Sequence, residues 1–411
     1  MFNLMDFDFD AVNQETHEGF YIPPFSDCMR CGICVSSCPT FQLSQDQAES
    51  PRSRLQTIHK LLIENTLISA EERAHLDSCL QCRACETICP SKMAYGQLVN
   101  RAQEKLLHNP SFLGKLGLFF IAHKSWQTAA MWLLALYIKL GLQTFARRLN
   151  LLDKVGLNYV DNLLNSTPSL KKLDLIYPTK QHYRGDVALF TGCVESYFNK
   201  QSLFAAIKLL NAIGYTVKIP KEQGCCGAIH QHNGEVASDF IRHNIDVFNV
   251  LEVEAVIFVS SGCGVMLSEY KDENGQFTKR LLDIYDFLLS HWREDLFIRP
   301  LNKTVAVHEP CSARNGLKNT HGVYSLLRKI PELNIRELDN NALCCGAGGT
   351  YFLKYPENAE QLRLKKHQAI NDVKVDIVVS NNVGCALFLQ DLEHVINSPL
   401  EVLAELVSDQ I

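Results

Sequence analysis

Four cysteines fall within twelve positions of DCMRCGICVSSCP (27–39), and the arrangement returns in SCLQCRACETICP (78–90). Both copies read C-x2-C-x2-C-x3-C-P: Cys28, Cys31, Cys34, Cys38, then Cys79, Cys82, Cys85, Cys89. A strand alternates its faces, so it cannot bring three thiolates spaced by three to one point. A tight loop can wrap them around three corners of a cubic 4Fe–4S cluster. The fourth cysteine, next to proline, then points elsewhere, and in two-cluster ferredoxins it ligates the other cluster. The expected ligand sets are therefore crossed. Cys28, Cys31, Cys34 and Cys89 hold one 4Fe–4S cluster, and Cys79, Cys82, Cys85 and Cys38 hold the second. Gly32 and the small Ala84 are expected in the turns that approach sulfide, with Pro39 and Pro90 ending them. The alternative is zinc, but four-cysteine zinc sites pair two cysteines with two others a dozen or more residues away. A triple at two-residue gaps suits that geometry poorly.

The elements that must position these loops can be read around them. Between the ladders, Leu55, Ile58, Leu61 and Leu62 recur at helical intervals, and Ser69 with Glu72 forms a capping-box pattern. A helical region follows over roughly 95–155, then a loop near PTKQHYRG (178–185). Beyond it strand and helix alternate, which predicts parallel α/β layers. VALFTGC (187–193) reads as a buried strand and SLFAAIKLLNAIGY (202–215) as a helix ending at Gly214. TVKIP reads as a strand, and AVIFVSSGC (255–263) as a strand running into a Gly-Cys turn. The pattern then recurs: VAVHEPC (305–311) matches VALFTGC, ALCCGAGGT (342–350) matches QGCCGAIH (223–230), and DIVVSNNVGC (376–385) matches AVIFVSSGC. Cys193, Cys225, Cys226 and Cys263 fall in the same order as Cys311, Cys344, Cys345 and Cys385. A repeat this long predicts two duplicated lobes rather than a solenoid. Cysteines at strand C-termini would converge where open α/β folds bind ligands. Such a set can hold a metal or cluster, exchange thiolates, or simply pack as small buried residues.

Bulk properties narrow the function class. The chain has 411 residues, sixteen of them cysteine, and a net charge near −5, which offers no basic footprint for nucleic acid. The first residues, MFNLMDFDFDAVNQE, are acidic, unlike a secretory leader, so a reducing, cytoplasmic setting is expected and clustered thiols there point to metal. No run of 18 apolar residues predicts a spanning helix; AAMWLLALYIKLGL (129–142) is too short and Lys139 interrupts it. The wider stretch 112–150, rich in Phe, Leu and Trp with Lys124, Lys139, Arg147 and Arg148, reads as a helical hairpin packed on the body or as a membrane-interface element. GAGG (346–349) departs from a dinucleotide fingerprint, and its glycines fit close approach of backbone to a metal site. His308 and His230 lie near the cysteines as ligands, proton relays or hydrogen-bonded supports; His75, His182 and His243 belong to no constellation.

The ladder pair followed by two Cys…Cys-Cys-Gly…Cys lobes resembles the iron–sulfur subunit of glycolate oxidase (glycolate dehydrogenase). The wider family includes the Cys-Cys-Gly-domain iron–sulfur subunits of anaerobic glycerol-3-phosphate dehydrogenase and of heterodisulfide reductase. The stretches that carry the resemblance are CPTFQL (38–43), PRSRL (51–55), HLDSCLQCRACETICPS (75–91), GCCGAIHQHNG (224–234), SGCGVMLSEY (261–270) and LCCGAGGTY (343–351). The resemblance implies a two-cluster ferredoxin-type domain over 1–95, a helical linker over 96–180, and Cys-Cys-Gly α/β lobes over 181–300 and 301–411. It implies two 4Fe–4S clusters and a candidate further iron–sulfur cluster at Cys193, Cys225, Cys226, Cys263, Cys311, Cys344, Cys345 and Cys385. In heterodisulfide reductase subunits the last cysteine of each lobe is followed by another at C-x2-C. Here Met266 and Phe388 stand in those places, so the five-cysteine chemistry is not expected to transfer. With no flavin or nicotinamide fingerprint, the chain is expected to act as an electron-transfer subunit rather than on the organic substrate. It would take electrons from an FAD-containing dehydrogenase partner that oxidises glycolate to glyoxylate, and pass them toward quinone at the inner face of the cell membrane. The same architecture would serve D-lactate or glycerol-3-phosphate; a thiol–disulfide reductase and a zinc-bound structural protein are the alternatives from other classes.

Overall fold

The computed structural model describes residues 28–106, 112–149, 161, 167–272 and 275–408. The acidic N-terminal segment, and part of the region read as helical over 95–155, lie outside the described residues. Each cysteine ladder feeds a one-turn helix, Ile33–Ser36 and Ala84–Thr87. Helix Pro51–Leu62 starts on Pro51 with Ser50 as its cap, and turns Leu55, Ile58 and Leu61 inward as their spacing predicts. Helix Ala70–Asp77 opens on the full capping box. Ser69 Oγ accepts the Glu72 N–H at 3.0 Å, and the Glu72 carboxylate accepts the Ser69 N–H at 2.9 Å. These helices close over helix Tyr95–Lys105 around a small core of Leu55, Ile58, Leu76, Met93, Leu98 and Ala102. The core holds the two ladders side by side.

Two sheets follow. In the first, β1 (Ile176–Tyr177), β2 (Gly185–Phe190), β3 (Tyr215–Lys218), β4 (Ala255–Phe258) and β5 (Leu281–Asp283) lie in the order β1-β3-β2-β4-β5. In the second, β6 (Thr304–His308), β7 (Asn334–Glu337), β8 (Ile377–Ser380) and β9 (Ile396–Asn397) lie in the order β7-β6-β8-β9. All pairings are parallel except the short edge pair β1–β3, which is antiparallel with Ile176 opposite Lys218. Registers match between lobes: Val187 sits between Val217 and Ala255, and Val305 between Ile335 and Ile377. Central strands β2, β4, β6 and β8 are apolar runs because helices cover both faces. The strand order reverses between β2 and β4, and again between β6 and β8, so each lobe has its ligand crevice at the C-terminal ends of those strands.

One detail departs from the expected pattern. Cys263 and Cys385 sit in the first turns of helices Ser261–Ser268 and Val383–Leu389, not in free turns. Asn382 caps the second of these, its Oδ1 accepting from Gly384 N at 2.8 Å and Cys385 N at 3.2 Å.

The lobes share one core. Leu203 and Leu210 of helix Lys200–Ala212 join Leu400 and Leu403 of the C-terminal helix Pro399–Leu406, along with Tyr285, Val305 and Leu326. A buried Ser202–Ser398 hydrogen bond of 2.8 Å ties the two helices. Helices Phe112–Ala122, Lys124–Lys139 and Leu142–Arg148 lie on the first lobe, the last two with their usual polarity inverted. Gln127, Ala135, Gln143 and Ala146 face inward, while Trp126, Trp132, Leu133 and Phe145 are each more than half exposed. Among the described residues no single helix is long and apolar enough to cross a membrane; the last two of these pass that test only as a pair bent by 66°.

Candidate metal centres

The ladders fold into matching loops. Arg30 and Gly32 in the first, and Gln81 and Arg83 in the second, are left-handed, at φ of 54°, 79°, 51° and 57°. The residue matching Gly32 in conformation is therefore Arg83; Ala84, expected in the turn, instead begins the following helix. A left-handed arginine is costly, and its side chain has strong partners. Its guanidinium pairs with both carboxylate oxygens of Glu269 in the first lobe and packs over Gly96.

The eight ladder cysteines line two small cavities. Cys28, Cys31, Cys34 and Cys89 surround one, and Cys38, Cys79, Cys82 and Cys85 the other, with Tyr95 on the wall of both. Among the described residues neither wall carries a histidine or carboxylate. An all-thiol donor set with hydrogen-bond donors around it fits a 4Fe–4S cluster, whose sulfurs accept hydrogen bonds. Burial raises the thiols of Cys34, Cys79, Cys82 and Cys85 above their usual pKa, and binding a metal would release their protons.

Two supporting side chains have no signature in the ladder spacing. Arg54 is buried beneath the second cavity. Its guanidinium donates to Cys38 Sγ at 3.5 Å, to Thr40 Oγ1 and Ser78 Oγ at 2.9 Å each, and to the Glu49 carboxylate. Burial alone would lower its pKa, but Cys79, Cys38 and Glu49 hold it above the usual value. His75, which the sequence left unassigned, steadies Glu49 through a 2.7 Å contact. Tyr95 hydrogen-bonds Cys34, and burial followed by the nearby sulfurs pushes its hydroxyl pKa up.

In the lobes each Cys-Cys-Gly loop brings its cysteines to the crevice. Cys193 and Cys225 lie 3.5 Å apart, Cys226 and Cys263 3.4 Å, and Cys345 and Cys385 2.9 Å, and Cys311 hydrogen-bonds Cys344. In both lobes the first Cys of the pair is the one held below its usual pKa. Cys193 and Cys226 lower the pKa of Cys225, and Cys311 and Cys345 that of Cys344, while the thiols beside them are raised. An amide braces each loop in the same way. Gln223 bonds Thr191 N and Leu189 O past β2, and Asn341 bonds Glu309 N and Val307 O past β6. The lobes differ in charge. His308, 1% exposed, replaces a phenylalanine of the first lobe and sits with its ligand nitrogen within 4.8 Å of Cys345 and Cys385 Sγ. Lys366 is fully buried below, donating to the carbonyls of Asn340 and Asn341. His230 is anchored through Nε2 to the Leu118 carbonyl at 3.2 Å.

Between the lobes lies a cavity of about 440 Å3. Its wall includes Cys193, Cys226, Cys263, Cys311, Cys344, Cys345 and Cys385, but not Cys225. Cys82 of the second ladder set also lines it, so one cysteine borders both the ladder cavity and the lobes. The GAGG glycines allow this approach: a side chain at Gly348 would meet Leu80 Cδ2 at 2.8 Å. Met266 and Phe388 are buried side chains on the same wall.

Known families match both halves of this arrangement. A 4Fe-4S dicluster domain matches residues 24–93, and a cysteine-rich domain matches twice, over 187–268 and 305–390. A probable glycolate oxidase iron-sulfur subunit of Bacillus subtilis is 30% identical, the match covering 88% of this chain and 87% of the relative. A glycolate oxidase iron-sulfur subunit of Escherichia coli is 28% identical, with 88% and 89% covered. One subunit of the dihydromethanophenazine:CoB–CoM heterodisulfide reductase of Methanosarcina barkeri is 22% identical, with 93% of each chain covered. Iron–sulfur clusters are thus this chain's cofactors, with a 4Fe-4S dicluster domain at its front and cysteine-rich domains in its lobes. From its folded ladders to its paired lobes, the chain belongs to the family of glycolate oxidase iron–sulfur subunits.

Proposed function

We propose that the chain is the electron-transfer subunit of a membrane-associated 2-hydroxy-acid dehydrogenase that converts glycolate to glyoxylate, and that an FAD-containing partner subunit oxidises the substrate. Cys28, Cys31, Cys34 and Cys89 hold one 4Fe–4S cluster; Cys38, Cys79, Cys82 and Cys85 hold the second; the eight lobe cysteines hold further metal. When bound, such clusters supply one-electron storage and transfer. The protein's own part is to bury the thiolates, exclude water, and aim Arg54 and Tyr95 at sulfur. The working units are a dicluster domain that extends past 95 through helix Tyr95–Lys105, the hairpin helices after it, a first lobe that begins before 181 with β1, and a second lobe from β6. The observation that carries the proposal is the sorting of eight ladder cysteines into two crossed sets of four, with Cys82 also facing the lobes.

Contact with the inner face of the membrane, and so with quinone, is assigned to the inverted hairpin. Residues 112–149 contain five Lys or Arg and no Asp or Glu, which complements anionic lipid, and the outward face is apolar. The test is anaerobic: iron and acid-labile sulfide per chain, with spin-resonance spectra. About eight irons meet two cubanes, and about twelve or more require metal in the lobes. Colourless protein that does not respond to dithionite would refute the proposal. Glycolate-dependent bleaching in the presence of a co-purified flavoprotein tests the substrate; D-lactate or glycerol-3-phosphate bleaching instead would reassign it. The close cysteine pairs favour one other reading, thiol–disulfide reduction in the inter-lobe cavity. That reading requires disulfide turnover by the isolated chain.

A further inference from the structure

Outside both the ladders and the lining of the inter-lobe cavity, three side chains of the second lobe converge. His367 comes from helix Pro356–Val373, and Asp391 and His394 from the loop between helix Val383–Leu389 and β9. Their ligand atoms all lie within 4.8 Å of one another, and the two imidazoles stack at 4.1 Å between centroids. Both histidines are more than nine-tenths buried.

The hydrogen bonds fix what these groups offer. His367 Nε2 lies 2.8 Å from the Leu389 carbonyl oxygen, which only accepts, so the ring proton is on Nε2. Nδ1 is then a lone pair, and it faces Asp391 Oδ2, another acceptor, at 3.5 Å. His394 repeats the geometry: Nε2 lies 3.0 Å from Asn371 Oδ1, and Nδ1 lies 2.9 Å from Asp391 Oδ1. That Oδ1 already accepts the backbone N–H groups of Glu393 and His394, at 2.9 and 2.8 Å. Arg363 Nη2 lies 3.5 Å from Oδ2, and Glu360, 3.5 Å from Nη1, offsets its charge. Two imidazoles with their outer nitrogens tied to oxygen acceptors and their inner nitrogens turned to one carboxylate are the arrangement that metal-binding histidines adopt.

We propose that His367 Nδ1, His394 Nδ1 and Asp391 Oδ2 form a binding site for a divalent transition-metal ion of the zinc class, with a fourth position open to water. The donor set is two nitrogens and one oxygen, which suits zinc and excludes a cubane. The ion would pin the helix that carries His367 to the loop that follows Cys385.

Cluster-loaded full-length protein is stripped with chelator, given one equivalent of Zn2+ alone, and desalted. The expected result is one zinc per chain, with an X-ray absorption edge spectrum showing imidazole and oxygen neighbours and no sulfur. Zinc that is not retained, or that shows sulfur neighbours, overturns the proposal; the first means a proton rather than a metal lies between the rings, and the second that the cysteines took the ion. H394Q and D391N should each weaken zinc binding by more than about tenfold, leaving the cluster spectra unchanged. Asn371→Ala, which touches no ligand atom, should weaken it by about 10-fold to 100-fold and keeps the test open if a ligand variant does not fold. Unchanged affinity in all three overturns the proposal.

Discussion

At the scale of single residues, the crossed cysteine sets make unequal demands on neighbouring groups. Cys38→Ser should damage the centre formed with Cys79, Cys82 and Cys85 and spare the one at Cys28, Cys31 and Cys34. Spin-resonance spectra of the mutant check this, and loss of the Cys28 signal instead would refute the crossing. Tyr95 stands on the wall of both cavities and hydrogen-bonds Cys34. A hydrogen bond to sulfur favours the more negative, reduced state, so Tyr95→Phe should lower the potential of the Cys28 centre by something on the order of tens of millivolts. A redox titration reads that shift, and no shift would remove Tyr95 from the tuning role. The cysteines themselves were legible in the sequence because ligand spacing is a local property. Arg54 and Tyr95 were not, because their roles arise only when helices Pro51–Leu62 and Tyr95–Lys105 fold against the ladders. Arg83 shows a further limit: small size pointed to Ala84 for the turn, but the Glu269 pair and Gly96 make a left-handed arginine tenable there.

At the scale of elements, strand and helix alternation was legible because buried parallel strands are short apolar runs. The cysteine positions at their ends marked the crevice correctly in order but not in element: Cys263 and Cys385 belong to helix starts, which apolar runs do not distinguish from turns. The Cys-Cys-Gly loops depend on left-handed glycines, Gly227 at φ 88° and Gly346 at φ 96°. A methyl group at Gly346 would meet the Ala359 carbonyl oxygen at 2.6 Å, while at Gly227 the nearest atom is Ala237 Cβ at 3.1 Å. Both alanine variants carry about 1–2 kcal/mol of backbone strain, and Gly346→Ala adds a backbone clash, so it should lower the melting temperature more. Equal losses would mean the second loop relaxes freely. Asp283 caps helix Ile284–Ser290 through the Tyr285 N–H at 2.8 Å, yet burial pushes its carboxyl pKa up to about 7. A raised carboxyl pKa means that the folded state holds the proton more tightly than the unfolded chain does. Stability from this group is therefore greatest below about pH 4 and falls until the pH passes about 7. Asp283→Asn keeps the cap acceptor and should flatten that fall in melting temperature between pH 4 and 7; an unchanged slope would place the titration elsewhere.

At the scale of the whole molecule, the described chain is organised around one line of sulfur running from the first ladder, through Cys82, to the inter-lobe cavity. The hairpin of helices 112–149 lies close to the far end of that line. Gln127 Nε2 donates to the Cys193 carbonyl at 3.1 Å, Lys124 Nζ to the Lys221 carbonyl at 2.8 Å, and Ile121 lines the cavity. Composition alone left two readings of this stretch, packed hairpin or lipid contact, because hydrophobicity does not say which face turns inward. In the fold, Gln127, Ala135, Gln143 and Ala146 turn inward along with Leu118, and Trp126, Trp132, Leu133 and Phe145 turn outward. Replacing Trp126, Trp132, Leu133 and Phe145 with serine removes exposed area, so the folded state loses little packing and the melting temperature should hold. Each such side chain contributes about 1.5–3 kcal/mol when fully withdrawn from water, and insertion into a headgroup layer realises only part of that. Four together should reduce binding to vesicles of anionic phospholipid by about 100-fold or more, as read by co-sedimentation, with iron content unchanged. If the quadruple variant sediments with vesicles as well as the parent, or if the parent does not sediment at all, the apolar face is not a lipid contact.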